Sequence, residues 1–513
     1  MSLDRHKNKY KIRHNMRIRG KAKQGRIVGE ITPPKIHKPF RHAIKNAARK
    51  VYRLPLSYKL AAGSAAAFLV VAVVALLPKE ASVPTQDLTA SSGAKNVLLI
   101  VTDDQNFESL KSMPYLAKQS TWFKFNNAFV NTPLCCPARS TILTGQTSEH
   151  TKVTTNPNSV LFDDKNTIAT AAQQRGYRTG LFGKYFNYYP WNKGAAYVPP
   201  GWTKWLAFNT NIGYYNYTLN DNGQMKNFGA KPADYSTDVL ADRTIQFINQ
   251  SKREKKPFLA YYAPYGPHAP MTPAERHKTK ERQYNASVKP ANFNEFDVSD
   301  KPAWVRALTP KATIPINKKI KGQYGSLLSV DENIEKMVNQ LRRNGQLDNT
   351  VIIFLSDNGY SMGSHRFEGK PCPYEECVRL PMMIRYPGVN GTATDAMVSN
   401  MDIAPTIADV TGARLAKQPD GNSLLPLLQG RYFNPNRSIY MFSSPVGGKQ
   451  AMPYFWGLRT SQYKYIEYST GEKELYDLRV DGQEMTNRAN DPNFAQEMYL
   501  MSQALKQQRA QQQ

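Results

Sequence analysis

The sequence has 513 residues, of which 41% are hydrophobic and 21% are charged, a composition typical of a folded protein rather than a disordered one. Its 68 lysine and arginine residues exceed its 40 acidic residues by 28, and residues 1–59 contain 18 of the basic residues but only two acidic ones. Four cysteines are too few for a scaffold held together mainly by disulfides.

The first 94 residues divide into three segments. Residues 1–59 are basic and lack apolar periodicity, so we expect an arm without a core of its own. No nucleic-acid-binding motif accompanies the arm, and no specific nucleic-acid partner is expected. An uncharged run of 18 residues then extends from Leu60 to Leu77 and is preceded by basic residues. It predicts a membrane protein with one transmembrane helix, a cytoplasmic amino terminus and an extracytoplasmic remainder. A buried core helix is the alternative, and residues 78–94 are predicted to form a linker.

Residues 95–430 are predicted to form one α/β domain. Near-continuous apolar runs are typical of strands buried on both faces of a parallel sheet, and helix-like stretches lie between them. The strand-like runs are residues 96–102, 258–263, 350–355 and 381–384, and the helix-like stretches are residues 167–175, 235–250 and 325–344. This alternation favours a mostly parallel central sheet flanked by helices. Residues 431–513 are predicted to form a small antiparallel subdomain with a helix and a frayed, glutamine-rich end.

Polar residues follow two of the predicted strands. Asp103 and Asp104 come after the first strand, and Asp357 and Asn358 come after the strand at 350–355. Side chains beyond the carboxyl ends of neighbouring parallel strands can converge on one ligand. Carboxylate and amide oxygens suit Ca²⁺ or Mg²⁺ better than zinc, which prefers histidine or cysteine. A helix cap or a turn is the alternative for each acidic pair taken alone.

The segment from Cys135 to Arg139 (CCPAR) carries the strongest chemical signal. Pro137 favours the first turn of a helix, so Cys135 is expected at a helix amino terminus, where anions are stabilised. An activated sulfur or its derivative there, with Arg139 nearby, suits attack on an anionic ester. The alternative is a pair of small, buried cysteines that act only as apolar side chains.

The pattern Cys135-x-Pro137-x-Arg139 resembles the signature of the sulfatase family, in which the cysteine is oxidised after synthesis to Cα-formylglycine. The resemblance covers roughly residues 95–480 and implies an alkaline-phosphatase-like sulfatase fold. Its other motifs are residues 96–105, 183–185 (GKY), 267–270 (PHAP) and 356–359 (SDNG). Residues 201–202, 214–220 and 235–240 look specifically like N-acetylglucosamine-6-sulfatases and the related extracellular heparan-sulfate endosulfatases.

The resemblance implies a metal site. One Ca²⁺ ion would be held by Asp103, Asp104, Asp357 and Asn358 and would also touch formylglycine derived from Cys135. One hydroxyl of the hydrated aldehyde would attack the sulfur of the ester and displace the sugar alcohol. Loss of the proton from the other hydroxyl would then re-form the aldehyde and expel sulfate.

The resemblance also implies roles for four basic residues. Arg139 would orient the hydrated aldehyde, and Lys184 would bridge it to the sulfate group. Lys370 and His268 would bind the remaining sulfate oxygens, and one of these two would protonate the leaving oxygen.

The sequence departs from the usual sulfatase pattern around residues 361–377. Ser361 stands where the glucosamine subgroup tends to have histidine, and His365 is expected to take over that catalytic role. The spacing around Lys370 is also unusual. The same stretch contains Cys372 and Cys377, which are expected to close a small disulfide loop near the site if the domain lies outside the cytoplasm.

The implied function is that of a sulfuric ester hydrolase that removes sulfate from sugars of the glucosamine 6-O-sulfate type. The implied partners are a sulfated saccharide substrate and the formylglycine-generating enzyme. One alternative is a phosphoester or phosphonate hydrolase of the same superfamily, although such enzymes usually carry threonine or serine and a histidine-rich two-zinc site. The other alternative is a non-catalytic glycan-binding protein, if Cys135 is never oxidised.

Overall fold

The computed structural model describes residues 95–209, 211–445, 447 and 451–512. The predicted basic arm at 1–59, the membrane anchor from Leu60 to Leu77 and the linker at 78–94 lie outside the described residues and stay predictions. Within the described ranges, no helix combines the length and the apolar character that crossing a membrane requires.

The strands alternate with helices along the chain, as the sequence predicts. The strands are β1 (Asn96–Thr102), β2 (Phe123–Phe129), β3 (Arg178–Gly183), β4 (Lys204–Phe208), β5 (Thr218–Asp221), β6 (Gln224–Asn227), β7 (Phe258–Ala263), β8 (Thr350–Ser356), β9 (Ser361–Met362), β10 (Glu368–Gly369), β11 (Met382–Arg385), β12 (Ala393–Ser399), β13 (Ile439–Ser443), β14 (Phe455–Arg459), β15 (Tyr463–Tyr468) and β16 (Lys473–Asp477). The helices are α1 (Pro114–Ala117), α2 (Cys135–Thr144), α3 (Ile168–Gln174), α4 (Ser236–Arg253), α5 (Lys278–Gln283), α6 (Ala303–Arg306), α7 (Thr313–Arg343), α8 (Glu375–Val378), α9 (Ile403–Thr411), α10 (Leu425–Leu428) and α11 (Ala495–Ala510).

A ten-stranded sheet forms the centre of the described part of the chain. Its order is β12-β2-β11-β8-β1-β7-β3-β4-β5-β6, and β11 and β5 run against the direction of the others. The prediction of a mostly parallel central sheet is therefore confirmed.

Strand β1 shows why the apolar runs are continuous. Alternate side chains of a strand point to opposite faces of its sheet. Val97 and Leu99 belong to the core on one face, whereas Leu98 and Ile100 belong to the core on the other. Both faces are covered, so neither set can be polar.

The register of β1 against β8 determines where the site lies. Thr102 pairs with Ser356 at the carboxyl ends of these parallel strands. The next residue of each strand is an aspartate, and the backbone N–H of Asp357 donates to the carbonyl oxygen of Thr102 at 3.0 Å. The pairs Asp103-Asp104 and Asp357-Asn358 therefore leave the sheet side by side.

The carboxyl-terminal part contains a four-stranded antiparallel sheet, β13-β14-β15-β16, which confirms the predicted small antiparallel element. The predicted boundary at residue 430 stays a prediction. The predicted fraying of the glutamine-rich end also stays a prediction. Helix α11 packs Met501 and Leu505 against β14 and β15, and the carbonyl oxygen of Gln511 lies 3.1 Å from Nε2 of His150. These contacts join the last described residues to the rest of the fold.

Candidate active site

Helix α2 places Cys135 at its amino terminus, as the sequence predicts. Leu134 is extended and precedes the helix, while Gly145 ends it in the left-handed region at φ 74°. All ten residues of α2 are buried. The thiol of Cys135 donates to Oδ1 of Asp103 at 3.2 Å, so the helix terminus faces the end of β1.

The four predicted oxygen ligands are brought together at the ends of β1 and β8. Asn358 Nδ2 donates to Asp104 Oδ1 at 2.7 Å, and the backbone N–H groups of Asp104 and Asn358 both donate to Asp357 Oδ1, at 3.1 and 2.8 Å. Asp104 has φ 64°, a region that non-glycine residues occupy at a cost of about 1–3 kcal/mol. The surrounding hydrogen bonds hold Asp104 in this conformation.

Lys184 and Arg139 lie in the same cluster. Lys184 follows the end of β3; its ammonium group contacts Asp103 and donates to Cys135 Sγ at 3.2 Å. Arg139 Nε donates to Asp357 Oδ2 at 2.9 Å, and Nη1 donates to the backbone oxygen of Lys184 at 2.8 Å. Arg139 Nη2 is buried without a hydrogen-bond partner and lies 3.7 Å from Asp103 Oδ2.

Lys370, which directly follows β10, also reaches the cluster. Its ammonium group contacts Asp104, donates to Cys135 Sγ at 2.6 Å and lies 3.3 Å from Asn358 Oδ1. Three predicted metal ligands thus surround one positive charge, which shows that this group of atoms attracts a cation.

His268 reaches the cluster through one ring nitrogen. Its Nε2 lies 3.6 Å from Asp104 Oδ2, and its Nδ1 lies 2.8 Å from the backbone oxygen of Ala269. A carbonyl oxygen only accepts, so Nδ1 carries the hydrogen in this contact. Nε2 is the ring atom left to take up or release a proton.

Burial and mutual charge determine the pKa values of the cluster. Burial alone would raise the pKa of Asp103, but the neighbouring cations, Lys184 foremost, hold it well below its ordinary value. Burial and the Asp103 carboxylate raise the pKa of the Cys135 thiol. Burial raises the pKa of Asp357 as well, and the negative charge of Asp103 adds to this effect.

The donor set fits a hard divalent cation. Ligand atoms of Asp103, Asp104, Cys135 and His268 all lie within 4.8 Å of one another. Two of these four atoms are carboxylate oxygens, and oxygens of Asp357 and Asn358 contact the same cluster, so the oxygen donors that Ca²⁺ and Mg²⁺ prefer outnumber the sulfur and the nitrogen. His268 belongs to this group although it was not predicted as a metal ligand. Asp357 was predicted as a ligand, but its carboxylate oxygens accept hydrogen bonds from Asp104, Arg139 and Asn358.

A disulfide joins Cys372 and Cys377, the pair expected from the sequence. It connects two parts of the site. Cys372 lies two residues after Lys370, and the backbone oxygen of Cys377 accepts from the N–H of Gly359, which follows Asn358, at 2.9 Å. A Cβ atom on Gly359 would lie 2.1 Å from the backbone oxygen of Glu376, so only glycine permits this approach.

His365, predicted as a catalytic residue, contacts a different group of side chains. It is buried, with Nδ1 2.6 Å from Glu295 Oε2 and Nε2 3.2 Å from Asn292 Nδ2. Its ring packs on Tyr374 at a centroid distance of 4.1 Å. The structure does not bring His365 to Cys135, and we propose no catalytic role for it.

Two tyrosines that are not among the predicted site residues support His268. Tyr214 donates to the backbone oxygen of His268 at 2.8 Å, and Tyr265 donates to that of Ala269 at 2.6 Å. The ring of Tyr265 lies 4.7 Å from the imidazole of His268. The position of Tyr265, two residues after the end of β7, is the signal that could have identified it, because ligands gather beyond strand ends.

Comparison with known proteins agrees with this geometry. The Sulfatase family model matches residues 95–413, and a model described as N-sulphoglucosamine sulphohydrolase, C-terminal, matches residues 363–511. Human N-acetylglucosamine-6-sulfatase is 36% identical over 366 residues, which cover 67% of this chain and 66% of the relative. A Drosophila melanogaster protein named extracellular sulfatase SULF-1 homolog is 35% identical over 367 residues, which cover 67% of this chain and 32% of the relative. The chain thus spans between about a third and two thirds of these curated relatives.

A solved structure shares the fold. It is a complex of a protein with its substrate D-glucosamine-2-N,6-O-disulfate, and it has a TM-score of 0.73 and 23% sequence identity. The similarity covers 82% of this chain and 98% of that one. The sulfatase model covers more than half of this sequence, and its match contains the cysteine, the acidic strand ends and the basic residues described above. The chain belongs to the sulfatase family.

Proposed function

We propose that the chain is a sulfuric ester hydrolase that releases sulfate from 6-O-sulfated glucosamine units. Its family supports the reaction class. The sugar is supported by the name of the human relative and by the substrate in the similar solved structure. The observation that carries the proposal is the position of two lysine ammonium groups at 3.2 and 2.6 Å from Cys135 Sγ.

The charges of the cluster suit an anionic ester. Three carboxylates, those of Asp103, Asp104 and Asp357, face three cationic side chains, those of Arg139, Lys184 and Lys370. These charges balance, so a bound divalent cation would leave the cluster with two excess positive charges. A negative ester group would then be attracted to the cluster and its charge neutralised before attack.

The family uses a metal ion and a formylglycine. The predicted oxygen ligands would hold the metal ion, and Cys135 would be converted to the formylglycine. Bound there, Ca²⁺ would withdraw charge from the sulfate group, and formylglycine at position 135 would supply a hydroxyl nucleophile. The ammonium groups of Lys184 and Lys370 both contact Sγ of Cys135, and they would hold sulfate oxygens against position 135. Arg139 would fix Asp357 through its Nε contact and leave Nη2 for the group at position 135.

His268 is the proposed proton donor to the leaving oxygen. Its Nδ1 is held by the backbone oxygen of Ala269, and Tyr214 and Tyr265 fix the surrounding loop. Nε2 faces the cluster beside Asp104. A protonated Nε2 at this place would donate to the sugar oxygen as the bond to sulfur breaks.

The test uses full-length protein in which mass spectrometry has shown the aldehyde at position 135. We expect sulfate release from glucosamine 6-sulfate, with kcat/KM at least about 100-fold above that for glucosamine 6-phosphate, a difference of about 2.7 kcal/mol between the two transition states. Equal or faster release of phosphate would favour a phosphoester hydrolase. Release of neither ion would contradict the proposed activity on this sugar.

A further inference from the structure

A second group of metal-ligating side chains lies apart from the proposed catalytic cluster. Ligand atoms of His365, Glu376 and Glu484 all lie within 4.8 Å of one another. His365 lies between β9 and β10, Glu376 is on α8, and Glu484 follows β16. His365 and Glu484 are fully buried, and Glu376 is half-buried. Together with Asn292, a fully buried residue that contacts two of them, these side chains form what we call the His365 group.

The imidazole of His365 is held in the way that metal-binding histidines are held. Its Nδ1 lies 2.6 Å from Oε2 of Glu295. An ionised carboxylate only accepts hydrogen bonds, so Nδ1 carries the hydrogen in this contact. Metal-binding histidines usually donate one ring N–H to a carboxylate in this way, which leaves the other nitrogen for the metal. That nitrogen, Nε2, lies 3.2 Å from Nδ2 of Asn292.

Neither orientation of the Asn292 amide satisfies its surroundings. Its Nδ2 donates to Glu376 Oε1 at 2.7 Å and lies 3.2 Å from the backbone oxygen of Gln483, while its buried oxygen has no hydrogen-bond partner within the described chain. Turning the amide by half a rotation would put this oxygen in the place of Nδ2, next to Glu376 Oε1. Two oxygens with no hydrogen between them repel each other. A cation at this place would resolve the conflict, because it binds both oxygens.

The carboxylate of Glu376 lacks a compensating charge. Oε1 of Glu484 lies 2.6 Å from the ammonium group of Lys464, and Oε1 of Glu295 lies 3.2 Å from that of Lys301. Within the described ranges, in contrast, no ion pair includes Glu376, and its buried Oε2 has no hydrogen-bond partner. A carboxylate oxygen that is removed from water without a partner is unfavourable. The position therefore favours a bound cation.

The donor set indicates the class of ion. The available ligand atoms are Nε2 of His365, carboxylate oxygens of Glu376 and Glu484, the amide oxygen of Asn292 and the backbone oxygen of Gln483. Ca²⁺ and Mg²⁺ are bound through oxygen, whereas Zn²⁺ is bound by histidine together with carboxylates. Glu376 and Gln483 also line a cavity of about 670 Å³, which gives an ion a path to the group.

We propose that the His365 group binds one Zn²⁺ ion that stabilises the fold around the catalytic cluster. The ion would join the segment that follows β16 to the turn before β10 and to α8. Both of these elements support the cluster: Lys370 directly follows β10, and Cys377 on α8 accepts from the N–H of Gly359 at 2.9 Å. The ion touches no reacting atom, so the inference does not depend on the proposed function.

The test measures zinc bound to the full-length protein after treatment with EDTA, addition of Zn²⁺ and gel filtration. Cys135→Ala and Asp104→Asn are present throughout, because they remove two ligand atoms of the catalytic cluster. We expect this parent protein to retain about one zinc ion per chain, measured by inductively coupled plasma mass spectrometry. His365→Gln and Glu376→Gln should each weaken zinc binding at least about 100-fold in competition with a chelator, because each removes a ligand.

His277→Gln is the matched control, because His277 is also buried but lies 3.1 Å from Glu332 on α7. It should retain zinc as the parent protein does, and Zn²⁺ should raise the unfolding temperature of both. Glu376→Gln keeps the test decisive if His365→Gln does not fold, since Glu376 is half-buried and glutamine has nearly its shape. A parent protein that retains no zinc would overturn the proposal and make protonated His365 the cation of the group. Undiminished zinc retention in Glu376→Gln would overturn it as well.

Discussion

Replacing Cys135 by alanine is expected to reduce kcat for sulfate release by about 10⁴-fold or more, the effect typical of removing a catalytic nucleophile. Cys135 lies where Lys184, Lys370 and Asp103 converge, and no other described cysteine contacts these groups. The fold should persist, because alanine is compatible with the first turn of α2 and removes only one small side-chain atom. The measurement is single-substrate kinetics together with circular dichroism.

Cys136→Ala is the matched control for this variant. Cys136 is equally buried and adjacent in sequence, but its sulfur accepts the N–H of Asn187 instead of contacting the cluster. We expect Cys136→Ala to keep kcat within about threefold of the wild type and to cost about 1 kcal/mol of stability. A comparable loss of activity in both variants would mean that α2 acts through its packing and not through position 135.

Asp104→Asn is expected to abolish the response of the protein to Ca²⁺ and to reduce kcat/KM about 100- to 1,000-fold. Asp104 contacts Lys370 and Asn358 and lies 3.6 Å from His268, so its carboxylate is central to the proposed metal site. A ligand that binds only the folded state raises its stability by about 2.7 kcal/mol at 100 times its dissociation constant. The unfolding temperature of the wild type should therefore rise with added Ca²⁺, while that of Asp104→Asn should not.

Asp402→Asn provides a control of similar burial. Asp402 is buried and paired with Arg437, away from the cluster. This variant should unfold at a lower temperature, because a buried ion pair is broken, yet keep the stabilisation by Ca²⁺. A wild-type protein that does not respond to Ca²⁺, or an Asp104→Asn variant that responds as fully as the wild type, would contradict the proposed metal site.

The central sheet could be predicted because its strands carry a local signal. Residues 97–101 of β1, 258–263 of β7 and 351–355 of β8 are hydrophobic throughout, and burial on both faces explains this pattern. The antiparallel insertion of β11 between β8 and β2 could not be predicted. Strand direction depends on contacts between distant residues, which an apolar run of four residues does not encode.

The candidate site could be predicted only in part. Asp103 and Asp357 follow paired parallel strands, so their proximity follows from the topology, and the placement of Cys135 follows from Pro137. The position of His365 could not be derived, since the turn before β10 directs its ring to Glu295 instead. The approach of Gly359 to the disulfide loop likewise depends on tertiary packing, although glycine at that position permits it.

The most direct test relates the state of position 135 to activity. Preparations that differ in the extent of oxidation would be examined by mass spectrometry for the fraction of chains with an aldehyde at position 135. The initial rate of sulfate release from glucosamine 6-sulfate, in the presence of Ca²⁺, would be measured on the same samples. The account predicts a rate proportional to that fraction and close to zero for chains with the free thiol. A rate that does not vary with the fraction would contradict it.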